Sequence, residues 1–317
     1  MDYTKFWIAV NAILNQFWQP KGRRKSHATC YEVPRRIRRA FRIILDLGYQ
    51  MPSPRRLKRK HVRAMAMYLE EQGKSPSTIA NMLSAMRKFS VAIGKPNLVG
   101  DSRLFVKDPD SVYRPRATDR DKTWSGAGID IMEKVAATAT SDPHVAIQLE
   151  LCFAFGLRVK EAWILQPAVA DMGSFLDLSR GTKGGRPRAV PIENERQRKL
   201  LDRAKTMGNA ENGSMVPEQY SLKQWKGRFY KICAKHGITR KNGVVPHGLR
   251  HEYASETWEK LTGIPSQIKG GDTTMLDPEV ESLARITVAE NLGHSRKEIT
   301  TAYYGPVKQP LKKKVGN

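Results

Sequence analysis

The sequence predicts a mainly α-helical protein of two domains with one small β-sheet, an α+β fold class. Apolar residues recur at helical spacing through most of the 317 residues. Two short strand-like runs flank a Gly-rich turn at 180–187, which predicts one hairpin. A polar segment, 101–122, contains two prolines and shows no periodicity, so it divides the chain into two parts.

Four helices are predicted in the first part, over 3–18, 33–47, 58–72 and 77–89. Pro34 suits the first turn of the second helix, because a first-turn residue has no intrahelical partner for its N–H. Ser77 is the expected cap of the fourth helix, whose apolar stripe includes Ile79, Met82 and Met86. We expect a helical domain over 1–105, with residues 106–122 as a linker.

The second part, 123–317, mixes helices with the hairpin. Helices are predicted near 128–138, 143–155, 193–206 and 221–236, and the strands at 174–179 and 188–192. Pro246 marks the start of a further helix, and a short basic tail, KQPLKKK, lies near the end of the chain. These elements would form one domain that is larger than the first.

The net charge of +24 is the strongest compositional signal. The first hundred residues hold twenty Lys and Arg against five Asp and Glu, with basic clusters at 21–25, 35–42 and 55–63. Such a field attracts polyanions, and phosphate neutralisation makes nucleic acid the favoured partner. Charge alone leaves DNA, RNA and anionic lipid open. The candidate DNA-binding residues are Arg23, Arg24, Lys25, Arg35, Arg36, Arg55, Arg56, Lys58, Arg59, Lys60, Arg87 and Lys88.

Composition argues against several other classes. No apolar run approaches the roughly 18 residues of a membrane helix, and the first residues lack a signal-peptide layout. Three widely spaced cysteines suggest neither a disulfide framework nor a zinc site. His247 and His251 form one H-x-x-x-H, but Gly248 replaces the glutamate of a metalloprotease motif. We expect a cytoplasmic protein with no cofactor, no metal and no membrane partner.

Four separated fragments carry residues suited to phosphate chemistry. GLRVKE places Arg158 and Glu161 three apart on one helical face, and the hairpin turn holds Lys183. HGLRH puts His247 and Arg250 on the first turn of a helix, where anions are attracted. LGHSRKEITTAYYG places His294 nine residues before Tyr303. Taken singly, each fragment also fits a surface ion pair, a solvated lysine or core packing.

In this order the fragments resemble the tyrosine recombinase (phage integrase) family. GLRVKE looks like its first arginine box, HGLRH its His-x-x-Arg box and LGHS its third box. Residues 73–88, GKSPSTIANMLSAMRK, are similar to the family's helical core-binding domain. The resemblance implies a core-binding domain followed by a tyrosine-recombinase catalytic domain. It also implies action on double-stranded DNA as a tetramer on two sites, with accessory proteins in some systems.

The resemblance implies a role for each residue. Tyr303 would attack the scissile phosphate and form a 3′-phosphotyrosine, while Arg158 and Arg250 hold the charged oxygens. Lys183 would protonate the departing 5′-oxygen, His247 would assist proton transfer at the tyrosine, and His294 would hydrogen-bond the phosphate. Glu161 would orient its neighbours. Tyr304 is the alternative nucleophile, because a shift of one residue would exchange the two tyrosines.

The sequence departs from the family pattern at 263–286, where about twenty extra residues separate the last two boxes. A surface loop is the favoured interpretation, and a DNA or partner contact is the alternative. Two other functions stay open beside recombination. One is a type IB topoisomerase-like enzyme that nicks and closes any duplex, and the other is a DNA-binding protein without activity.

Overall fold

The computed structural model describes residues 3–18, 27–114, 117–179, 187–294 and 296–305. The chain divides into two compact units, Met1–Pro115 and Arg116–Asn317, and this boundary falls inside the segment expected to be the linker. The candidate residues Arg23, Arg24, Lys25 and Lys183, and the basic tail, lie outside the described residues. Within the described ranges, no helix has both the length and the apolar character needed to cross a membrane.

The first unit is helical. Its helices are α1 (Thr4–Trp18), α2 (His27–Asp46), α3 (Arg59–Glu71) and α4 (Pro76–Ala92). Phe41 of α2 packs edge to face against Phe6 of α1 and Phe89 of α4, with ring centroids 5.4 and 5.0 Å apart. Edge-to-face packing of buried rings adds to the free energy gained from their burial. The aromatic residues therefore join three helices into one core.

Two helix starts differ from the sequence prediction. Helix α2 begins at His27, so Pro34 lies inside it and not in its first turn. Val33, Ile37 and Phe41 are buried along one stripe, and their burial offsets the hydrogen bond that Pro34 cannot donate. Helix α4 is capped by Ser75, whose Oγ accepts from Thr78 N, and Pro76 occupies the first helical position. The expected cap, Ser77, lies within the first turn.

Part of the segment predicted as a linker packs into the first unit. Residues 102–105 and 109–112 form short 3₁₀ turns, and Phe105, Val106 and Val112 are buried in the core of that unit. The segment contains few apolar residues, and their irregular spacing shows no helical or strand periodicity. The sequence therefore did not predict that the tertiary fold buries them.

The second unit holds the remaining helices and a two-stranded sheet. Its helices are α5 (Ile131–Ala139), α6 (Pro143–Ala154), α7 (Val159–Ile164), α8 (Pro167–Ala170), α9 (Glu195–Thr206), α10 (Leu222–Lys235), α11 (Pro246–Thr262), α12 (Pro278–Asn291) and α13 (Thr301–Tyr304). Strands β1 (Phe175–Leu178) and β2 (Arg188–Pro191) pair antiparallel, with Leu178 opposite Arg188. Leu176, Leu178, Arg188 and Val190 are buried, as expected for one face of a hairpin.

The expected loop at 263–286 is wrong for its second half, which belongs to α12. Asp277 caps this helix by accepting from Glu279 N at 2.7 Å and Val280 N at 3.3 Å, and Pro278 follows as its first residue. A buried ion pair, Arg285 Nε to Glu281 Oε1 at 2.9 Å, faces the interior. Helix α12 packs against α11 and β2, and it leads directly into the His294 segment.

Candidate active site

The turn before α7 positions Arg158. Gly156 adopts φ +58°, and a Cβ on it would come within 2.5 Å of the Tyr253 ring, so a side chain would not fit there. Arg158 N donates to Glu161 Oε2 at 2.8 Å, and Arg158 Nη1 donates to Glu161 Oε1 at 2.6 Å. The helix start thus holds the guanidinium and its carboxylate partner together. The Arg158 side chain remains 23% exposed, while Glu161 is buried.

A second guanidinium, from Arg188 at the start of β2, contacts the same carboxylate. Its Nη2 lies 2.7 Å from Glu161 Oε2 and its Nη1 lies 3.1 Å from Oε1. Burial by itself raises the pKa of Glu161, but the hydrogen bonds and charge of Arg188, and then those of Arg158, outweigh burial and lower the pKa to about 2. Glu161 is therefore ionised at neutral pH.

Arg250, on the first turns of α11, is fully buried. Its two terminal nitrogens donate to the carbonyls of Gly156 and Leu292, and its Nε donates to the Tyr303 hydroxyl at 3.3 Å. The Leu292 carbonyl also accepts from Arg158 Nη2 at 3.3 Å. Both predicted phosphate-binding arginines therefore meet at the end of α12.

His294 follows that helix end and lies beside the tyrosine. Its backbone N–H donates to the Ala289 carbonyl at 2.8 Å, and its ring Nε2 lies 3.1 Å from the Tyr303 hydroxyl. The Tyr303 hydroxyl thus lies between a guanidinium and an imidazole. We expected His247 in this place and His294 at the phosphate, whereas the described contacts put His294 beside the hydroxyl.

Tyr304 has different surroundings. Its ring packs on Trp258, with centroids 4.7 Å apart, and near the Arg285 guanidinium. Its hydroxyl is buried and makes no hydrogen bond with the described residues, and burial raises its pKa well above the ordinary value. These contacts suit a structural side chain.

Two further histidines extend the site along α11. His247 is exposed, and its ring centroid lies 5.2 Å from that of buried His251, which in turn lies 4.6 Å from Tyr303. Desolvation and the positive charges of Arg250 and Arg158 lower the pKa of His247. Burial, followed by the nearby His247 and Lys122, lowers the pKa of His251 to about 3. Both rings are neutral at pH 7.

The structure therefore joins Arg250, His294 and Tyr303 through direct hydrogen bonds and links them to Arg158 and Glu161 through the shared Leu292 carbonyl, and His247 lies at the rim. Arg188 was not singled out from the sequence. The sequence feature that indicates it is its position two residues before apolar Val190 in a predicted strand, because residues two apart in a strand lie on the same face. Among the described residues, no three His, Cys, Asp or Glu side chains come together as metal ligands.

Most candidate DNA-binding residues of the first unit lie on its surface. Arg55, Arg56, Lys58, Arg59, Lys60, Arg35 and Lys88 are exposed, and Arg36 is half-buried. Arg35 and Arg36 both contact Glu32, at 2.8 and 3.5 Å. Arg87 differs, because its Nε donates to the Val99 carbonyl at 2.9 Å and its Nη2 donates to the Gly100 carbonyl. Its guanidinium is held by its own unit.

Two family models match separate parts of the chain. Residues 123–256 match the integrase family model, and residues 18–92 match that of the phage integrase N-terminal SAM-like domain. Tyrosine recombinase XerD of Oceanobacillus iheyensis is 23% identical over 270 residues, which cover 81% of this chain and 80% of the relative. The chain belongs to the tyrosine recombinase family. Tyrosine recombinase XerC of Alcanivorax borkumensis is 26% identical over 210 residues, covering 62% of this recombinase and 66% of the relative.

Solved structures resemble the recombinase in fold. The lambda integrase structure bound to DNA superposes with a TM-score of 0.57 at 15% identity, over 90% of this chain and 92% of the other. The Tn1549 transposon integrase in complex with circular intermediate DNA gives a TM-score of 0.56 at 16% identity, over 94% and 96%. At these identities the likeness establishes the fold: a helical protein with a small two-stranded sheet.

Proposed function

We propose that this recombinase cleaves and rejoins DNA at specific sites through a 3′-phosphotyrosine on Tyr303. The observation that carries the proposal is the position of the Tyr303 hydroxyl, 3.3 Å from Arg250 Nε and 3.1 Å from His294 Nε2. A guanidinium supplies positive charge for a phosphate, and a neutral imidazole can accept the phenolic proton. Both requirements of the reaction therefore meet at one oxygen.

The chemical step is a transesterification. The Tyr303 oxygen forms a bond to phosphorus, the bond from phosphorus to the 5′-oxygen breaks, and the phenolic proton passes to His294. Arg158 and Arg250 stabilise the charge that builds on the non-bridging oxygens. Lys183 gives a proton to the departing 5′-oxygen, and exposed, neutral His247 binds the phosphate from the rim. A 5′-hydroxyl from a partner strand then attacks the phosphotyrosine and frees Tyr303.

The arginine pair also sets the place of the phosphate. Arg250 is buried and each terminal nitrogen already donates one N–H to a backbone carbonyl, so Arg158, whose side chain is 23% exposed, is the first to meet DNA. A phosphate held by Arg158 and approached by Tyr303 then completes its contacts with the remaining N–H groups of Arg250. Such contacts strengthen as charge develops in the transition state.

The basic surface of the first unit is the proposed DNA clamp. Residues 1–105 and 123–317 are the proposed core-binding and catalytic domains, and the proposed linker is the part of 106–122 that follows Val112, because Val106 and Val112 are buried in the first unit. Lambda integrase has been solved as a dimer on a core site and as a tetramer on a Holliday junction. We propose the same use of four copies here, since exchange between two duplexes needs four cleavages. The proposed compartment is the cytoplasm.

Phenylalanine substitution tests the nucleophile, because it keeps the ring and removes only the oxygen. DNA crosslinked to the protein in its own genome supplies the sequence for a nicked half-site substrate that traps the covalent adduct. Tyr303→Phe is expected to give no adduct, and Tyr304→Phe is expected to give one. An adduct with Tyr303→Phe would refute the assignment.

A plasmid without the recovered site separates recombination from nonspecific nicking and closing. We expect the wild-type protein to leave its supercoils intact. Relaxation of that plasmid would instead indicate a topoisomerase-like activity.

A further inference from the structure

One buried guanidinium connects three segments of the candidate active site. Arg188 begins β2, five positions after Lys183 in the sequence, and its side chain is 4% exposed. It contacts both oxygens of Glu161, and its Nε donates to the Asn291 carbonyl at 2.8 Å. Glu161 in turn holds Arg158. The first arginine box, the hairpin and the end of α12 therefore meet at this side chain.

The end of α12 is held through two consecutive carbonyls. Asn291 O accepts from Arg188, and Leu292 O accepts from Arg250 and Arg158. The next residue, Gly293, has φ +63°, and a Cβ there would lie 2.9 Å from Arg188 Cδ. The arginine stem thus packs against the turn that immediately precedes His294. The guanidiniums of Arg158, Arg188 and Arg250 therefore fix the backbone direction just before His294.

We propose that Arg188 is a positioning residue that fixes Arg158 and His294 relative to each other. This inference rests on the proposed function, because the two residues matter together only if they serve one reaction. A guanidinium suits the place because its planar fork matches a carboxylate with two hydrogen bonds, whereas a lysine offers a single point of charge.

Arg188 acts through its neighbours and not on the substrate. Its Nε and both terminal nitrogens donate to protein acceptors, and Glu161 lies between it and Arg158. Without Arg188, Glu161 keeps only Arg158 as a paired cation, and the Asn291 carbonyl loses its side-chain donor. Small displacements of reacting groups lower rates strongly, by up to about 100-fold for roughly 1 Å.

Single-turnover adduct formation by Arg188→Ala and Arg188→Lys in the full chain tests this role. We expect the Arg188→Ala rate to fall roughly 10- to 100-fold while the Kd for the half-site changes less than about 3-fold. Arg188→Lys is expected to recover part of the rate, since it restores charge without the fork. Arg228→Ala is the matched control, because it breaks an ion pair with buried Asp142 (2.7 Å) away from these contacts, and it should cleave like wild type.

A pH profile distinguishes positioning from general weakening of the fold. Three groups face Glu161: Arg158 on its own segment, Arg188 from β2, and Cys152 on α6. Removing one of the two cations raises the pKa of Glu161, so the acid limb of the Arg188→Ala rate should move to higher pH. The acid limb of Arg228→Ala should stay in place. An equal movement of the limb in Arg228→Ala would overturn the proposal, because general weakening of the fold would then explain it.

Histidine NMR gives a readout that does not depend on cleavage. The His294 ring signals, assigned with His294→Gln, should shift in Arg188→Ala and remain unchanged in Arg228→Ala. Absence of any wild-type adduct would refute the proposed function, whereas unshifted His294 signals or a wild-type cleavage rate would refute the role of Arg188. If Arg188→Ala does not fold, Arg188→Lys decides, and full activity in that variant would also overturn the proposal.

Discussion

At the residue scale, Tyr303 and Tyr304 show how adjacent side chains reach opposite environments. Neighbouring helical residues point about 100° apart, so one ring faces Arg250 and His294 while the other packs on Trp258. The contrast is between a hydroxyl with two polar partners and a buried hydroxyl with none among the described residues. The first is suited to chemistry and the second to packing.

The role of Lys183 can be tested through the leaving group. When the 5′-oxygen of the substrate is replaced by sulfur, the leaving group departs without protonation. A variant that lacks the general acid should therefore cleave this substrate normally. We expect Lys183→Ala to cleave the oxygen substrate at least about 100-fold more slowly and the sulfur substrate at close to the wild-type rate. The measurement is the adduct rate on both substrates. Equal defects on both would exclude Lys183 as the acid.

Buried His251 should make stability depend on pH. Its pKa is about 3 in the folded protein against an ordinary 6.5, so below pH 6.5 the unfolded chain binds the extra proton. Stability is therefore lost as pH falls from 6.5 toward 3. Because His251→Phe lacks this group, wild type should lose about 2 kcal/mol more than the variant between pH 7 and pH 5, measured by urea unfolding. Equal losses of unfolding free energy in the two proteins would contradict the lowered pKa of His251.

At the element scale, local capping chemistry sets several helix starts. Asp130, Asp142, Asn194 and Ser221 each cap the helix that follows, where their side-chain oxygens accept backbone N–H groups. The same chemistry begins α12 at Asp277, inside the segment expected to be a loop. This helix then delivers the carbonyls that bind the three arginines. The extra segment thus contributes to the site itself.

Ser75 and Ser77 form a matched pair for testing a cap. Ser75 Oγ accepts from Thr78 N at 3.3 Å, whereas Ser77 lies within the first turn of α4. Ser75→Ala should lower the unfolding free energy of the first unit by about 1 kcal/mol. Ser77→Ala should change it by less than about 0.5 kcal/mol. Urea unfolding measures both, and the opposite ranking would place the cap at Ser77.

At the scale of the whole molecule, the net charge of +24 predicts steeply salt-dependent DNA binding. Each neutralised phosphate adds roughly 0.9 to the slope of log affinity against log salt, and we expect a magnitude of at least about 3. Replacing exposed Arg55, Arg56 and Lys58 by alanine should reduce that magnitude by about 2 to 3. A shallow wild-type slope would argue against the basic unit as a clamp.

The neighbours Arg87 and Lys88 provide the control. Lys88 is exposed, so Lys88→Ala should lower the slope by about 0.9. The guanidinium of Arg87 is bound to the carbonyls of Val99 and Gly100, so Arg87→Ala should reduce stability and leave the slope unchanged. Equal slope changes in the two variants would show that Arg87 also reaches DNA.

The sequence by itself determined the helical fold class, the hairpin and most of the residues proposed for catalysis. Helical spacing and the box residues are local features, readable over a few positions. Three matters were decided by tertiary structure: the different surroundings of the Tyr303 and Tyr304 hydroxyls, the place of His294 beside the Tyr303 hydroxyl, and the contacts of Arg188 with Glu161. Arg250 meets Tyr303 across 53 residues and Arg188 meets Glu161 across 27. Such contacts arise only when separate elements pack, because no local periodicity encodes which buried side chains face each other.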